Sequence, residues 1–367
     1  MRRLGVRAAL VGGELVRGDV GVEGDTIVAV GSAGQGSGVA VPGFVDLQVN
    51  GFAGFDFGEA DPDGIRAAAE ALVAHGTTTF QPTLISLPEE VYLRAMERLG
   101  EAAKAGLPAR LLGVHVEGPF LSPRRRGAHD PDHLRPVDPG LYDRLAAAGP
   151  LTYATLAPEL PGALELIPRL VARGIVVAIG HSDADAATAH AAFNAGARAV
   201  THLFNAQRPV HHRDPGITFA ALARRDVVLG VIADGVHLDF DTVKVVVNAA
   251  LERVALVTDA VAPAGLHDGE HTIGGQRLFV SGPEVRLEDG TIAGSVLTMD
   301  AAVRNLIDRG GAPFERAVAC ATRIPAELVG RPELGTLAPG TVADVVVLDD
   351  SLSVVRALVG GEEAFRA

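Results

Sequence analysis

The stretch from Gly174 to Asn205 constrains the fold more than any other. Ile175-Val176-Val177-Ala178-Ile179 is apolar on both faces, β-branched at four of five positions, and closed by Gly180-His181-Ser182-Asp183. Ala184 to Asn194 then has helical composition, Gly196 stops it, and Ala199-Val200-Thr201 leads into His202. Strand, helix and strand within about 30 residues make one βαβ unit. A run apolar on both sides belongs in a covered parallel sheet, and such strands carry function at their C-terminal ends. Two imidazoles at neighbouring strand ends would therefore project to one rim.

The same grammar recurs along the chain. Strand candidates followed by helical segments are Phe44–Val49, Thr77–Thr83, Leu111–Glu117, Thr152–Ala157, Ile175–Gly180, Ala199–His202, Val228–Ala233 and Val254–Asp259. This spacing predicts an α/β chain with a (β/α)8 TIM-like barrel. A doubly wound open sheet is the other architecture, but no Gly-rich phosphate turn follows the first strand. Residues 1–41 instead alternate short apolar runs with glycine, and Thr341–Leu348 and Val354–Val359 repeat the pattern. We therefore expect a small β-sandwich domain from residues 1–41 and 336–367, flanking a barrel of residues 42–335.

With 367 residues, 48% of them apolar, the chain has ample material for a large core. A net charge of −13 argues against a nucleic-acid surface, and means that an anionic substrate needs local cations. No run of 18 apolar residues suggests a membrane span, and the start Met1-Arg2-Arg3-Leu4 is not read as a leader. One cysteine, Cys320, permits no internal disulfide and suits the cytoplasm; a small buried hydrophobe is its expected role. Only Lys104 and Lys244 are lysines, both in helix-like segments, so no strand ends in a lysine.

The polar residues at strand ends suggest chemistry. Glu117, His181 and His202 supply a carboxylate and two imidazoles, enough to hold a divalent metal with a fourth position left for water. The alternatives are a rim ion pair for Glu117 and a rim hydrogen bond for each histidine. His115 points to the same face but deeper, as a packed core histidine. Asp259 follows an apolar strand, and either caps the next segment or faces the site as general base. Arg213 and His237 lie on loops at the same rim, where a guanidinium suits phosphate. His211 and His212 are taken as loop structure, and His75, His133, His190, His267 and His271 as residues of helical or polar loop contexts.

With these residues in hand, the sequence resembles the N-acetylglucosamine-6-phosphate deacetylase family, in the single-metal branch of the amidohydrolase superfamily. The resemblance rests on Pro42-Gly43-Phe44-Val45-Asp46, His115-Val116-Glu117-Gly118-Pro119-Phe120, Gly127-Ala128-His129, Leu156-Ala157-Pro158-Glu159 and Gly180-His181-Ser182. It continues through Thr201-His202-Leu203-Phe204-Asn205-Ala206, Arg213-Asp214-Pro215-Gly216, Ile232-Ala233-Asp234-Gly235-Val236-His237, Val257-Thr258-Asp259-Ala260 and Ala293-Gly294-Ser295.

The resemblance implies a metal held by Glu117, His181 and His202, with Asp259 as proton acceptor and donor and His129 polarising the acetyl carbonyl. Ala128, Asn205, Ala206, Asp234, Ile292, Ala293 and Gly294 would contact substrate, and Arg213 and His237 its 6-phosphate. It further implies a homodimer in which a phosphate contact comes from the partner subunit. Many amidohydrolases carry His-x-His at the end of the first strand; Gln48 and Asn50 stand there in this chain, so one divalent ion is expected, zinc or iron. The expected reaction is hydrolysis of N-acetyl-D-glucosamine 6-phosphate to D-glucosamine 6-phosphate and acetate by metal-bound hydroxide. The alternatives are a related amidohydrolase acting on another N-acyl amino sugar, and a catalytically inactive binding barrel.

Overall fold

The computed structural model describes residues 1–32, 34, 36–273 and 276–367. Eight parallel strands line the barrel: β1 (Phe44–Val49), β2 (Thr77–Leu84), β3 (Val114–Glu117), β4 (Leu151–Leu156), β5 (Val176–Ile179), β6 (Ala199–Val200), β7 (Val228–Val231) and β8 (Val254–Leu256). Each pairs with the next in chain order. The ring closes where Val49 bridges Ala260, Asp259 N donates to Gln48 O (2.8 Å) and Asn50 N to Ala260 O (2.7 Å). Closure thus runs through Asp259 itself and the next residue, Ala260.

Eight helices follow the strands: α1 (Pro62–Ala74), α2 (Glu89–Ala105), α3 (Pro139–Ala148), α4 (Ala163–Val171), α5 (Ala186–Ala195), α6 (Gly216–Leu222), α7 (Phe240–Ala250) and α8 (Met299–Asp308). Their ends obey local chemistry. Asp185 caps α5 by accepting from Thr188 N, and Gly196 ends it with φ of 118°, a left-handed turn that a side chain would strain.

Several strands are shorter than expected. The expected third strand breaks after Leu111 and resumes at Val114, β6 ends two residues before His202, and β8 ends three residues before Asp259. His181, His202 and Asp259 therefore sit on turns beyond their strands, whereas Glu117 is the last residue of β3.

Both chain ends build two further sheets. One has six strands, in the order Glu362–Arg366, Val354–Val359, Val345–Leu348, Val39–Pro42, Ala8–Val11 and Glu14–Arg17; the other joins Arg2–Arg3, Asp19–Glu23 and Thr26–Ser32. Strand alternation assigns the faces. Val345 and Val347 pack with Ala9, Ala40, Val20, Val22 and Ile27 between the two sheets. Val346 and Leu348 turn the other way, into the barrel core with Val39 and Val41. Asp344, almost wholly buried, is held by Arg110 at 3.1 Å at this junction.

One element has no counterpart in the sequence reading. Between β8 and α8 the chain makes a four-stranded antiparallel sheet of Gly269–Ile273, Gln276–Ser281, Glu284–Arg286 and Ile292–Ser295. His271, read as a loop residue, lies on its first strand. No helix among the described residues is long and apolar enough to cross a membrane.

Candidate active site

A cavity of about 690 Å³ opens at the C-terminal end of the barrel. Glu117, His129, His181, His202, His237 and Asp259 line it, as do Ala128, Asn205, Ala206, Ile292, Ala293 and Gly294. Four of the non-glycine lining residues reach it through uncommon backbone, Ala206 (φ of 48°) among them. His181, His202 and Asp259 have φ of 47°, 27° and 49°, in the left-handed region. Each such residue costs on the order of 1–3 kcal/mol and persists only where its surroundings hold it. The sharp turn lets the side chain leave the strand axis and point inward.

The centre is tight. His181 Nε2 and His202 Nε2 each lie 3.1 Å from Glu117 Oε1, and 3.0 Å from each other. Tetrahedral ligation with bonds of about 2.0–2.1 Å separates ligand atoms by roughly 3.3 Å, so these three atoms suit one first-row dication. His181 Nδ1 donates to Arg125 O (2.9 Å), which leaves the Nε2 lone pair free to ligate. Glu159 fixes the turn that carries His181 by accepting from Ser182 Oγ and Asp183 N, both at 2.6 Å.

Glu117, His129 and His181 form a second grouping, with ligand atoms all within 4.8 Å. His129 is the weaker ligand candidate. Its Nδ1 accepts from Ser86 N (3.1 Å) and lies 2.9 Å from Ser86 Oγ, so Nε2 carries the hydrogen and acts as a donor. Burial and the neighbouring His181 push its pKa down to about 3, which keeps the ring neutral. Glu117, His181 and His202 are the better ligand set.

Burial alone would raise the carboxyl of Glu117, but hydrogen bonds from His181 and His202 hold it well below the usual range. Burial would likewise lower His202, and the adjacent Glu117 raises it instead. Asp259 moves the other way: burial and the charge of Glu117 lift its pKa, as befits a group that takes and returns a proton.

Gln48 and Asn50 were read only for what they cannot ligate. Gln48 Nε2 lies 3.3 Å from both Glu117 oxygens and 3.1 Å from Asp259 Oδ1, and Asn50 Nδ2 donates to that same oxygen at 2.7 Å. Two amides thus tie up Oδ1 and separate two buried carboxylates. The antiparallel insertion adds support: Ser295 N donates to Asp259 O (2.9 Å), and Ser295 Oγ to Thr258 O (2.6 Å). Gly294, with φ of 85°, has no room for a Cβ, which would stand 2.9 Å from Asp259 O and 2.5 Å from Val261 Cγ1.

Two residues expected to touch substrate do not line the cavity. Asp234 accepts from Val236 N and His237 N (2.8 Å each) and from His237 Nδ1 (2.7 Å), so it orients His237. Arg213 is exposed on its loop. The sequence reading also missed Ser86, Leu278, Arg286 and Thr291, which line the cavity. His115 is buried, 2.8 Å from Thr155 Oγ1 and 3.2 Å from Leu47 O, as a core histidine should be.

The amidohydrolase family model matches residues 39–365. The chain belongs to the amidohydrolase family. The family is metal-dependent, and the chain is similar to human N-acetylglucosamine-6-phosphate deacetylase, 40% identical over 386 residues that cover 98% of this chain and 94% of the relative. N-acetylgalactosamine-6-phosphate deacetylase of Escherichia coli O157:H7 is 36% identical over 327 residues, covering 88% and 87%. An alanine mutant of the N-acetyl-D-glucosamine-6-phosphate deacetylase from Mycobacterium smegmatis, an aspartate replaced, was solved in complex with N-acetyl-D-glucosamine 6-phosphate. It superposes on this amidohydrolase with a TM-score of 0.93 at 36% identity, covering 98% of this chain and 97% of that one.

Proposed function

We propose that this amidohydrolase hydrolyses the acetamide of N-acetyl-D-glucosamine 6-phosphate, releasing acetate and D-glucosamine 6-phosphate. The observation that carries the reading is the meeting of three ligand atoms at 3.0–3.1 Å, with Asp259 joined to Glu117 through one glutamine amide. Glu117, His181 and His202 would hold one divalent ion, zinc or iron. Bound there, the ion supplies a Lewis acid for the acyl carbonyl and lowers the pKa of a coordinated water to about 7. Gln48 supports a single ion, because its amide hydrogens rather than its oxygen face the two carboxylates.

His129 donates its Nε2 hydrogen to the carbonyl oxygen as negative charge develops, and its neutral state keeps that donor constant across working pH. Asp259 accepts the proton of the attacking water through Oδ2, since Oδ1 is occupied by Asn50 and Gln48. It returns the proton to nitrogen as the C–N bond breaks, so the sugar leaves as an amine and the acyl carbon as acetate. Ala128, Asn205, Ala206 and Ile292–Gly294 wall the sugar, and His237, oriented by Asp234, faces the phosphate.

The second phosphate contact is Arg213 of the partner subunit in a homodimer. Three features support this: Arg213 does not line its own cavity, and Val210 and Phe219 near it on the chain expose 39% and 48% of their surface. The single buried thiol, Cys320, fits a cytoplasmic enzyme. The galactosamine-specific names among the relatives favour one second reading, in which the C4 epimer is the substrate.

Metal analysis coupled to acetate release tests the proposal. The expected result is about one equivalent of zinc or iron, with turnover of the 6-phosphate far above that of free N-acetylglucosamine. Equal turnover of the two sugars, or full activity in metal-free protein, refutes it.

A further inference from the structure

Most charged side chains on the cavity wall are already engaged. Asp130 caps the turn at Asp132 N (2.9 Å), and Arg286 is held by Glu284 (2.8 Å) and by Gly290 O (2.9 Å). Asp56 differs. Its Oδ1 accepts from Gly58 N at 2.8 Å, while it enters no ion pair among the described residues and leaves Oδ2 open.

The backbone around it is fixed. Gly51 pairs with Asp56 and Phe52 with Phe55 in a short hairpin, which is anchored by Ala53 N to Ala264 O (2.8 Å) and Gly54 N to Ala262 O (2.6 Å). Burial, reinforced by the charge of Glu59, pushes the Asp56 carboxyl up to about 6. Asp56 is half-buried and lines the cavity, so a donor that enters the cavity can reach the carboxylate oxygen that Gly58 N leaves free.

Its place in the barrel indicates the donor. Asp56 follows β1 and lines the cavity together with Leu87, which follows β2, whereas Asn205 and His237 follow β6 and β7 across the ring. A sugar whose acetamide sits at the Glu117 centre and whose phosphate lies near His237 still has three ring hydroxyls, at C1, C3 and C4, to satisfy. Resting on the proposed deacetylase reading, we infer that Asp56 Oδ2 accepts a hydrogen bond from one of these hydroxyls and so makes Asp56 a specificity-determining residue. Oδ1 shapes the local turn, and Oδ2 reads the sugar.

The test compares wild type, Asp56→Asn and Asp56→Ala on N-acetylglucosamine 6-phosphate and its 1-deoxy, 3-deoxy and 4-deoxy analogues. Asn keeps an oxygen for Gly58 N while presenting NH2 to the cavity. A hydrogen bond to a charged acceptor is worth about 10- to 100-fold in kcat/KM, so wild type should lose that factor on the analogue lacking the recognised hydroxyl. Both variants should lose a similar factor on the parent sugar and nothing further on that one analogue. A partly unfolded variant lowers all four compounds alike, so the ratio still decides. A uniform loss across all four, or none, overturns the inference. Failure of the deacetylase reading shows separately, as a wild type that releases no acetate from the parent sugar.

Discussion

Replacing Asp259 with asparagine isolates the proton-transfer step. Oδ1 of Asp259 accepts from Asn50 Nδ2 at 2.7 Å and from Gln48 Nε2 at 3.1 Å. In Asp259→Asn these two donors choose the amide orientation: the carbonyl oxygen takes the Oδ1 position and NH2 faces the cavity. The opposite orientation would set three amide N–H groups against one another. The variant therefore keeps the packing and hydrogen bonds of the native residue and loses only its basic oxygen. General acid–base catalysis contributes about 10²- to 10⁴-fold, equivalent to about 3–5 kcal/mol of barrier. We expect kcat to fall by that factor, KM to change only a few-fold, and metal content to match wild type because Glu117, His181 and His202 are untouched. Steady-state acetate release with metal analysis on the same sample measures all three. A kcat within tenfold of wild type at full metal loading would remove Asp259 from proton transfer.

Other perturbations probe the scaffold. Gly294→Ala forces a Cβ to 2.9 Å from Asp259 O at a φ of 85°, and should destabilise the fold by about 1–3 kcal/mol while lowering kcat, read by thermal melting and turnover. Asp300 lies 3.3 Å from His75 Nδ1 and forms an ion pair with Arg304 (3.0 Å); burial alone would raise its pKa, but hydrogen bonds from His75 and Thr298 and the charge of Arg304 lower it to about 2. Because its folded pKa is depressed, its stabilisation of about 2 kcal/mol is present above pH of about 4 and is lost as pH falls toward 2. Asp300→Asn should thus shrink the drop in unfolding free energy over that window, and an unchanged acid profile would contradict the assignment. Arg213→Ala should raise KM for the phosphorylated sugar at least tenfold. Mixing it with Asp259→Asn should regenerate activity, because a mixed dimer holds one site with Asp259 intact and Arg213 supplied from across the interface; no recovery on subunit exchange would exclude the shared site.

The barrel was legible because its strands are covered on both faces, so runs such as Ile175–Ile179 carry no polar interruption and stand out without periodicity. The sheet of Gly269–Ser295 was not. Its strands are short, and Arg277-Leu278-Phe279-Val280-Ser281 buries only Leu278 and Val280 against Ala128 and Val261, so composition alone matches a loop. Histidine and aspartate tolerate positive φ better than most residues, but that tolerance does not single out His181, His202 and Asp259 from the chain's other histidines and aspartates; long-range contacts decide it. Those contacts are visible in the fold: Arg125 O and Glu159 beside His181, and Gln48, Asn50 and Ser295 around Asp259. Gln48 and Asn50 were legible as missing ligands and illegible as donors, because a sequence shows which groups a residue carries but not which way an amide faces. Three of the residues that the motif reading named as chemistry, His181, His202 and Asp259, thus occupy strained backbone at the rim. Those it passed over are the ones that hold that strain in place, so weakening Gln48, Asn50 or Ser295 should loosen Asp259 before it unfolds the barrel.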